Sequence, residues 1–348
     1  MPRRIQHRYR DPLELVWLQC ARELGIEVVR SNEVYASFDG KRTLTLSSAE
    51  HFDADDSLAQ LIFHELCHAL VAGERGRGRA DWGMENVDER DVLQEHACHR
   101  LQAALAGRHG LREFFAVTTD WRSYWDALPL DPLAPGADPA IPLAREAYVR
   151  ARRGPWAAAI EQALARTREV AELVRGLGTG LESDSLWLRT RALHASGFAL
   201  GDRPEQRCGD CAFGFEQGGV LRCRKSAIEP PRKHARVSAD AQACERFEAR
   251  FDENTCGECG ACCREGFDRV DVRARDLVRK RHPELVKVDG FGAHLPRPGG
   301  RCVALTGGEQ ANSPYRCRVY AERPSACADF AMGGDACLTA RRRVGLSA

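Results

Sequence analysis

Apolar positions recur at helical spacing over residues 13–24, where Leu13, Leu15, Val16, Leu18 and Leu24 form one side of a predicted first helix. Residues 26–30 read as a short strand. Residues 33–39 and 41–47 alternate in strand fashion around Asp39-Gly40, a dipeptide suited to a tight hairpin. Asp55, Asp56 or Ser57 can cap a following helix that runs to Gly73, a good C-terminal stop. A further helix is predicted over residues 88–106, ending before Gly107. Pro129, Pro132, Pro135, Pro139 and Pro142 then mark a linker or an extended strap over the surface. Residues 144–177 return to a helical pattern, and residues 157–174 contain few breakers. From Arg207 onward the periodicity gives way to Gly, Cys and charge, which predicts short elements at best.

Composition sharpens this picture in three places. At 348 residues, two or three domains are expected, and a chain that is 43% hydrophobic and 29% charged can bury a real core. The 51 Lys and Arg nearly cancel the 50 Asp and Glu, a net of +1 that argues against nucleic acid as partner. The run Arg341, Arg342, Arg343 reads as solvated. No stretch approaches the roughly 18 apolar residues of a membrane span. The basic start at residues 1–10 leads into Asp11 without a secretory apolar region. A membrane is therefore not an expected partner, and the expected location is the reducing cytoplasm. There, 15 cysteines with CxxC spacings point to metal rather than disulfides. Cys20, Cys67 and Cys98 lie early, and the other twelve fall between Cys208 and Cys337, a boundary written in composition.

The first candidate chemistry is His64-Glu65-Leu66-Cys67-His68. On a helix, residues four apart share a face, so His64 and His68 can offer two imidazoles to one ion. Glu65 can reach a metal-bound water as an acid or base without being a ligand. A third ligand is expected from the next helix, where Glu95, His96 and His99 stand. Glu95 is favoured and His99 is its rival, although Leu93, Ala97, Leu101 and Ala104 set a core face from whose centre Glu95 points away. Cys67 and Cys98 read as small buried side chains, with a thiol near a metal open to oxidation. The expected metal is iron or zinc.

The stretch from His64 to Gly73, with Asp81-Trp82-Gly83 after it, resembles the elongation factor P hydroxylase family. The likeness covers residues 55–120 and rests on the metal motif, the Ala72-Gly73 pair and the Asp-aromatic-Gly triplet; Glu95 falls near an acidic position of the family pattern. The segment between Gly83 and Glu95 is shorter than in that family. The resemblance implies a non-haem, iron-dependent, protein-modifying hydroxylase.

Cys208, Cys211, Cys223 and Cys244 form a four-thiolate set whose CxxC opening puts two sulfurs on one tight turn. The set resembles the small four-cysteine modules that hold zinc or a [4Fe–4S] cluster. Further on come Cys256, Cys259, Cys262 and Cys263, then Cys302, Cys317, Cys327 and Cys337. These eight, in order over residues 252–343, resemble the CxxCxxCC family of zinc- or iron-chelating domains, and flagellin lysine methylases carry a related cluster. Adjacent Cys262 and Cys263 are expected to point in different directions and to serve two metals, or one metal plus packing. Arg323-Pro324 is expected to set a turn that brings Cys327 back. Thiolate-only sites suit zinc and iron–sulfur alike, with iron–sulfur slightly favoured.

The expected class is α+β. A zincin-like domain with the HExxH helix spans residues 1–127, a proline-rich linker and helical segment 128–200, a four-cysteine module 201–250 and a chelating domain 251–348. The favoured function is hydroxylation of a protein or peptide, with the C-terminal cluster supplying electrons or docking substrate, and an external electron donor as partner. A zinc peptidase with a structural cysteine module is the alternative, and a metal-storage, metallochaperone or sensor protein the non-enzymatic one.

Overall fold

The computed structural model describes the chain except residues 1–6, 8, 86–90, 176, 178–184, 227–233, 265, 309, 311, 312 and 348. Most of the basic start, Asp88 of the expected second helix and Gly176 of the helical middle therefore lie outside the described residues. Two compact units emerge, residues 1–200 with 226–233, and residues 201–225 with 234–348. Helices and strands are mixed along the chain, as the α+β expectation holds.

In the first unit, α1 (Pro12–Glu23) begins where Asp11 accepts the Leu13 N–H, with Pro12 at the first helical position. A three-stranded sheet follows, of β1 (Glu27–Ser31), β2 (Ala36–Phe38) and β3 (Thr43–Ser47). β3 is central, antiparallel to β2 and parallel to β1. The connection at residues 40–42 is longer than a two-residue hairpin turn. Asp39 Oδ1 collects the N–H groups of Lys41, Arg42 and Thr43 at 2.8, 2.8 and 2.9 Å, which holds a wider loop.

The buried layer is α2 (Leu58–Gly76), capped by the Ser57 hydroxyl. Its helical geometry breaks at Gly73, which takes φ 63°, before one more turn ends the element at Gly76. α2 is flanked by α1, by α3 (Val92–Gly107) and by α5 (Ala140–Arg153), while α6 (Ala157–Arg175) lies along α1; a short α4 is Arg122–Asp126. Gly154-Pro155 divides the helical middle into α5 and α6. Trp17, Phe63 and Phe115 meet at the centre with ring centroids 4.9 to 5.4 Å apart, and Trp17 Nε1 donates to Thr167 Oγ1 at 3.0 Å.

The proline-rich stretch is strapped onto this unit. Buried Arg100 on α3 donates to Tyr124 Oη, Pro132 O and Asp138 Oδ2 at 2.6, 2.6 and 2.7 Å. Arg112 adds bonds to Leu128 O and Pro129 O. No helix among the described residues is long and apolar enough to cross a membrane.

The second unit is built from short pieces. One sheet contains β4 (Gly214–Gln217), β5 (Val220–Cys223) and β6 (Ala235–Arg236). After α7 (Glu253–Cys259) come β7 (Val270–Asp271), α8 (Leu277–Arg281), β8 (Lys287–Asp289) and β9 (Gly292–Leu295). Their strands pair in the order β7-β9-β8. A two-stranded ladder of β10 (Leu305–Thr306) and β11 (Arg316–Cys317), then α9 (Ser325–Ala328) and α10 (Asp335–Arg343), complete the unit. Its two apolar clusters are small and include the cysteines Cys302, Cys211 and Cys223 among their buried members. So little apolar material is the usual mark of a fold that leans on bound metal.

Candidate metal centre

Helices α2 and α3 pack side by side and bring four ligand-type side chains near one another, around His64. His64 and His68, one turn apart on α2, bring their Nε2 atoms to 2.9 Å. Glu95 on α3 places Oε1 3.5 Å from His68 Nε2 and Oε2 4.0 Å from His64 Nε2. His99, one turn further along α3, puts Nε2 3.6 Å from Glu95 Oε2. His64, Glu95 and His99 have ligand atoms all within 4.8 Å of one another. Glu95 and His99, rivals on sequence grounds, thus both reach the site. His96 does not join them, because its ring stacks on Tyr124 at 3.6 Å.

The chemistry of this donor set fits a cation. Glu95 Oε2 and both ring nitrogens of His99 are buried without a hydrogen-bond partner, and His99 is fully buried. Buried polar atoms left so are rare, and each destabilises the fold by about 1–3 kcal/mol unless something binds it. Burial raises the Glu95 carboxyl above its usual range and pushes His68 down; His99 falls to about 2 for the same reason. His68 and His99 are therefore held neutral, the form that ligates metal.

Gln102, a residue the sequence reading had not assigned a role, aligns His64. Its Oε1 lies 2.9 Å from His64 Nδ1, while its Nε2 donates to Phe115 O at 2.7 Å. That amide orientation makes Gln102 Oε1 the acceptor, so the His64 proton sits on Nδ1 and Nε2 is free for a metal. Its position seven residues after Glu95, on the same α3 face, was the available signal. Cys67 and Cys98 are fully buried, and Cys98 Sγ lies 3.7 Å from His64 Nδ1.

Asp81-Trp82-Gly83 has a visible task. Asp81 and Trp82 adopt left-handed φ values of 47° and 58°, uncommon for side-chain-bearing residues and found most often at functional sites. Asp81 Oδ1 accepts the Phe38 N–H at 2.8 Å, and Trp82 stacks on Phe38 at 3.7 Å. Trp82 Nε1 then donates to Glu65 Oε2 at 2.8 Å, fixing that carboxylate beside His64. Gly76 permits the arrangement, since a Cβ there would stand 2.5 Å from Trp82 O. Burial raises the Glu65 carboxyl, making it a stronger base than a solvated glutamate.

These groups line a cavity of about 310 Å³, large enough for one extended side chain. Tyr35, Met84, Val117 and Trp121 supply an apolar wall, and Asp81 and Asp120 add negative charge.

In the second unit, Cys208, Cys211, Cys223 and Cys244 are buried together. Burial pushes the Cys208 thiol up to about 11 and Cys223 to about 12. Cys256 and Cys259 lie on α7, Cys317 on β11, Cys327 on α9 and Cys337 on α10. The Cys302 N–H donates to Cys263 O at 2.8 Å. Cys262 and Cys263, expected to diverge, have Sγ atoms 3.8 Å apart. A turn at Gly260, whose carbonyl accepts the N–H groups of both Cys263 and Arg264, folds them to one side. Arg323-Pro324 does lead directly into α9, with the Cys327 N–H bonded to Pro324 O. Among the described residues, no three thiols of this unit come within 4.8 Å of one another.

Residues 255–342 match the family model CxxCxxCC, described as a "putative zinc- or iron-chelating domain". No curated protein and no solved structure matches the chain. The matched domain and the imidazole–carboxylate set together mark a metal-binding protein.

Proposed function

We propose that the first unit is a non-haem, iron-dependent hydroxylase acting on a protein or peptide, with the cysteine centres of the second unit handling its electrons. The observation that carries this reading is His99 beside Glu95, added to His64 and His68. Three imidazoles and a carboxylate would fill a tetrahedral zinc site, whereas catalytic zinc keeps a position open. Six-coordinate iron would still have two positions free. Iron held there supplies one-electron chemistry with dioxygen, and that chemistry needs reducing equivalents, which iron–sulfur potentials can deliver.

The chain's own residues would do the rest. Gln102 keeps His64 Nε2 unprotonated. Trp82 holds Glu65 at the cavity wall, where its raised pKa suits it to take or return a proton. Tyr35 and Trp121 would flank an entering side chain and exclude water.

One observation favours zinc hydrolysis instead. Glu65 follows the first ligand directly and has the raised pKa of a general base. In that reading His64, His68 and Glu95 hold zinc and Glu65 activates water.

Incubation of the iron-loaded chain with peptide libraries, dioxygen and a reductant separates the two readings. Dioxygen-dependent gain of an oxygen atom, lost in His64→Ala, supports hydroxylation. Peptide cleavage by the zinc-loaded chain, lost in Glu65→Gln, replaces it with hydrolysis. Full hydroxylation by His64→Ala removes the imidazole site from the reading.

A further inference from the structure

Cys208, Cys211, Cys223 and Cys244 all lie before residue 255, outside the segment that the family model matches. Four backbone connections gather them. The CxxC turn closes with the Cys211 N–H on Cys208 O at 3.2 Å. Arg207 bridges Gln242, and the Cys208 N–H donates to Ala241 O at 3.0 Å, which lays the turn beside the strand that enters Cys244. Cys211 bridges Ala249, with the Ala212 N–H on Glu248 O at 2.8 Å, so the segment leaving Cys244 runs back along the same turn. Cys223, at the end of β5, is in register with Gly214, whose N–H donates to Cys211 O at 3.0 Å. Gly214 lies close against the turn, where a Cβ would sit a tight 3.2 Å from both Cys208 O and Cys211 O. The β4–β5 hairpin therefore presses Cys223 onto the CxxC turn.

The surroundings are those of a ligand set rather than of four packing thiols. The four cysteines are only 6–8% exposed, under Phe213, Phe247 and Leu338. Two sulfurs receive backbone N–H groups from two residues further on, Cys211 from Phe213 and Cys223 from Lys225. Such bonds stabilise a thiolate, and a buried thiolate needs a cation beside it. No disulfide joins any pair.

We infer that Cys208, Cys211, Cys223 and Cys244 hold a thiophilic metal centre of their own, distinct from the eight-cysteine segment that follows and closed to outside ligands. No three of these sulfurs lie within 4.8 Å of one another, whereas one tetrahedral ion bound at about 2.3 Å sets its ligands ~3.8 Å apart. Loading draws the hairpin and the turn together around a single ion, or the centre is a larger iron–sulfur group. Either way it binds no substrate, since four protein thiolates leave no coordination position open.

The test uses the full chain purified without oxygen. Zinc and iron are counted by elemental analysis in the native protein, in Cys223→Ser, in Cys244→Ser and in Cys20→Ser, whose thiol is buried in α1 of the first unit. The expected result is that both ligand variants lose the same one centre and Cys20→Ser loses none. Should the variants fail to fold, iodoacetamide labelling of the native chain decides. All four thiols are expected to resist labelling until a strong chelator is added, and then to react together. Zinc without visible absorption identifies a single ion, and iron with it a cluster; both uphold the centre. A native metal count in both variants, or prompt labelling of the four thiols before chelation, overturns it. His64→Ala leaves this protection unchanged, so failure of the imidazole site is read separately.

Discussion

Gln102 and His64, on neighbouring helices, are joined through Oε1 and Nδ1 at 2.9 Å, and the far end of the Gln102 amide is tied to Phe115 O. The glutamine acts as a fixed acceptor that decides which histidine nitrogen stays free. Gln102→Leu preserves bulk and burial but removes the acceptor. Metal affinity at the imidazole site should fall about 10–100-fold, as removal of such orienting partners does elsewhere. Competition with a chromogenic chelator measures it, and an affinity equal to that of the native chain would refute the orienting role.

His99 offers a sharper contrast. Without metal its two ring nitrogens are buried unpaired, so His99→Leu should leave the metal-free protein as stable or slightly more stable. The same change should shrink the rise in Tm that added metal produces, because stabilisation follows affinity for the folded state. Paired melting curves with and without metal report both effects. An undiminished metal-dependent shift would show that His99 only fills space.

Acid stability should depend on Glu161. Its carboxylate lies 3.4 Å from His109 Nε2 and is also paired with Arg152, and the neighbouring His109 imidazole leads in holding its pKa down to about 2. A folded pKa below the unfolded one contributes stability that is complete above the unfolded value, near 4.5, and is lost as pH falls towards 2. Native protein should therefore exceed Glu161→Gln in Tm at about pH 6, and the difference should vanish near about pH 2. Because the side chain is 45% exposed, solvent screening keeps the effect modest. A constant gap across that range would refute the linkage.

Arg100 carries the proline-rich strap. Arg100→Ala removes three hydrogen bonds and leaves Asp138 and Pro132 O without them, a loss of about 3 kcal/mol in urea unfolding. Arg100→Lys should recover only part, since an ammonium cannot address all three acceptors at once. Faster proteolysis within residues 128–139 would accompany the loss, and an unchanged unfolding midpoint would sink the strap interpretation.

Much of the first unit was legible in the chain. The Ser57 cap, one of three candidates beside Asp55 and Asp56, and the strands around Asp39 follow from local chemistry that few neighbours can override. His64 and His68 share a face by helical period alone. Whether Glu95 or His99 completes the site was not legible, because that depends on how α3 rolls against α2, a choice made by Ala97, Leu101 and Leu105 packing into the core. The role of Trp82 was hidden for a similar reason. Residues 81 and 82 take left-handed backbone angles, rare above all for a tryptophan, and their contacts with Phe38 and Glu65 hold them there.

The sequence by itself determined the chemistry, two imidazoles at helical spacing and twelve thiols crowded into a stretch poor in apolar residues, because ligand type and local period are properties of neighbouring residues. Tertiary structure alone decided that Glu95 and His99 both face His64, that Gln102 sets its tautomer, and that the sulfurs of Cys262 and Cys263 converge. Those relations join atoms far apart in sequence or turn on one backbone angle at Gly260, and packing fixes both.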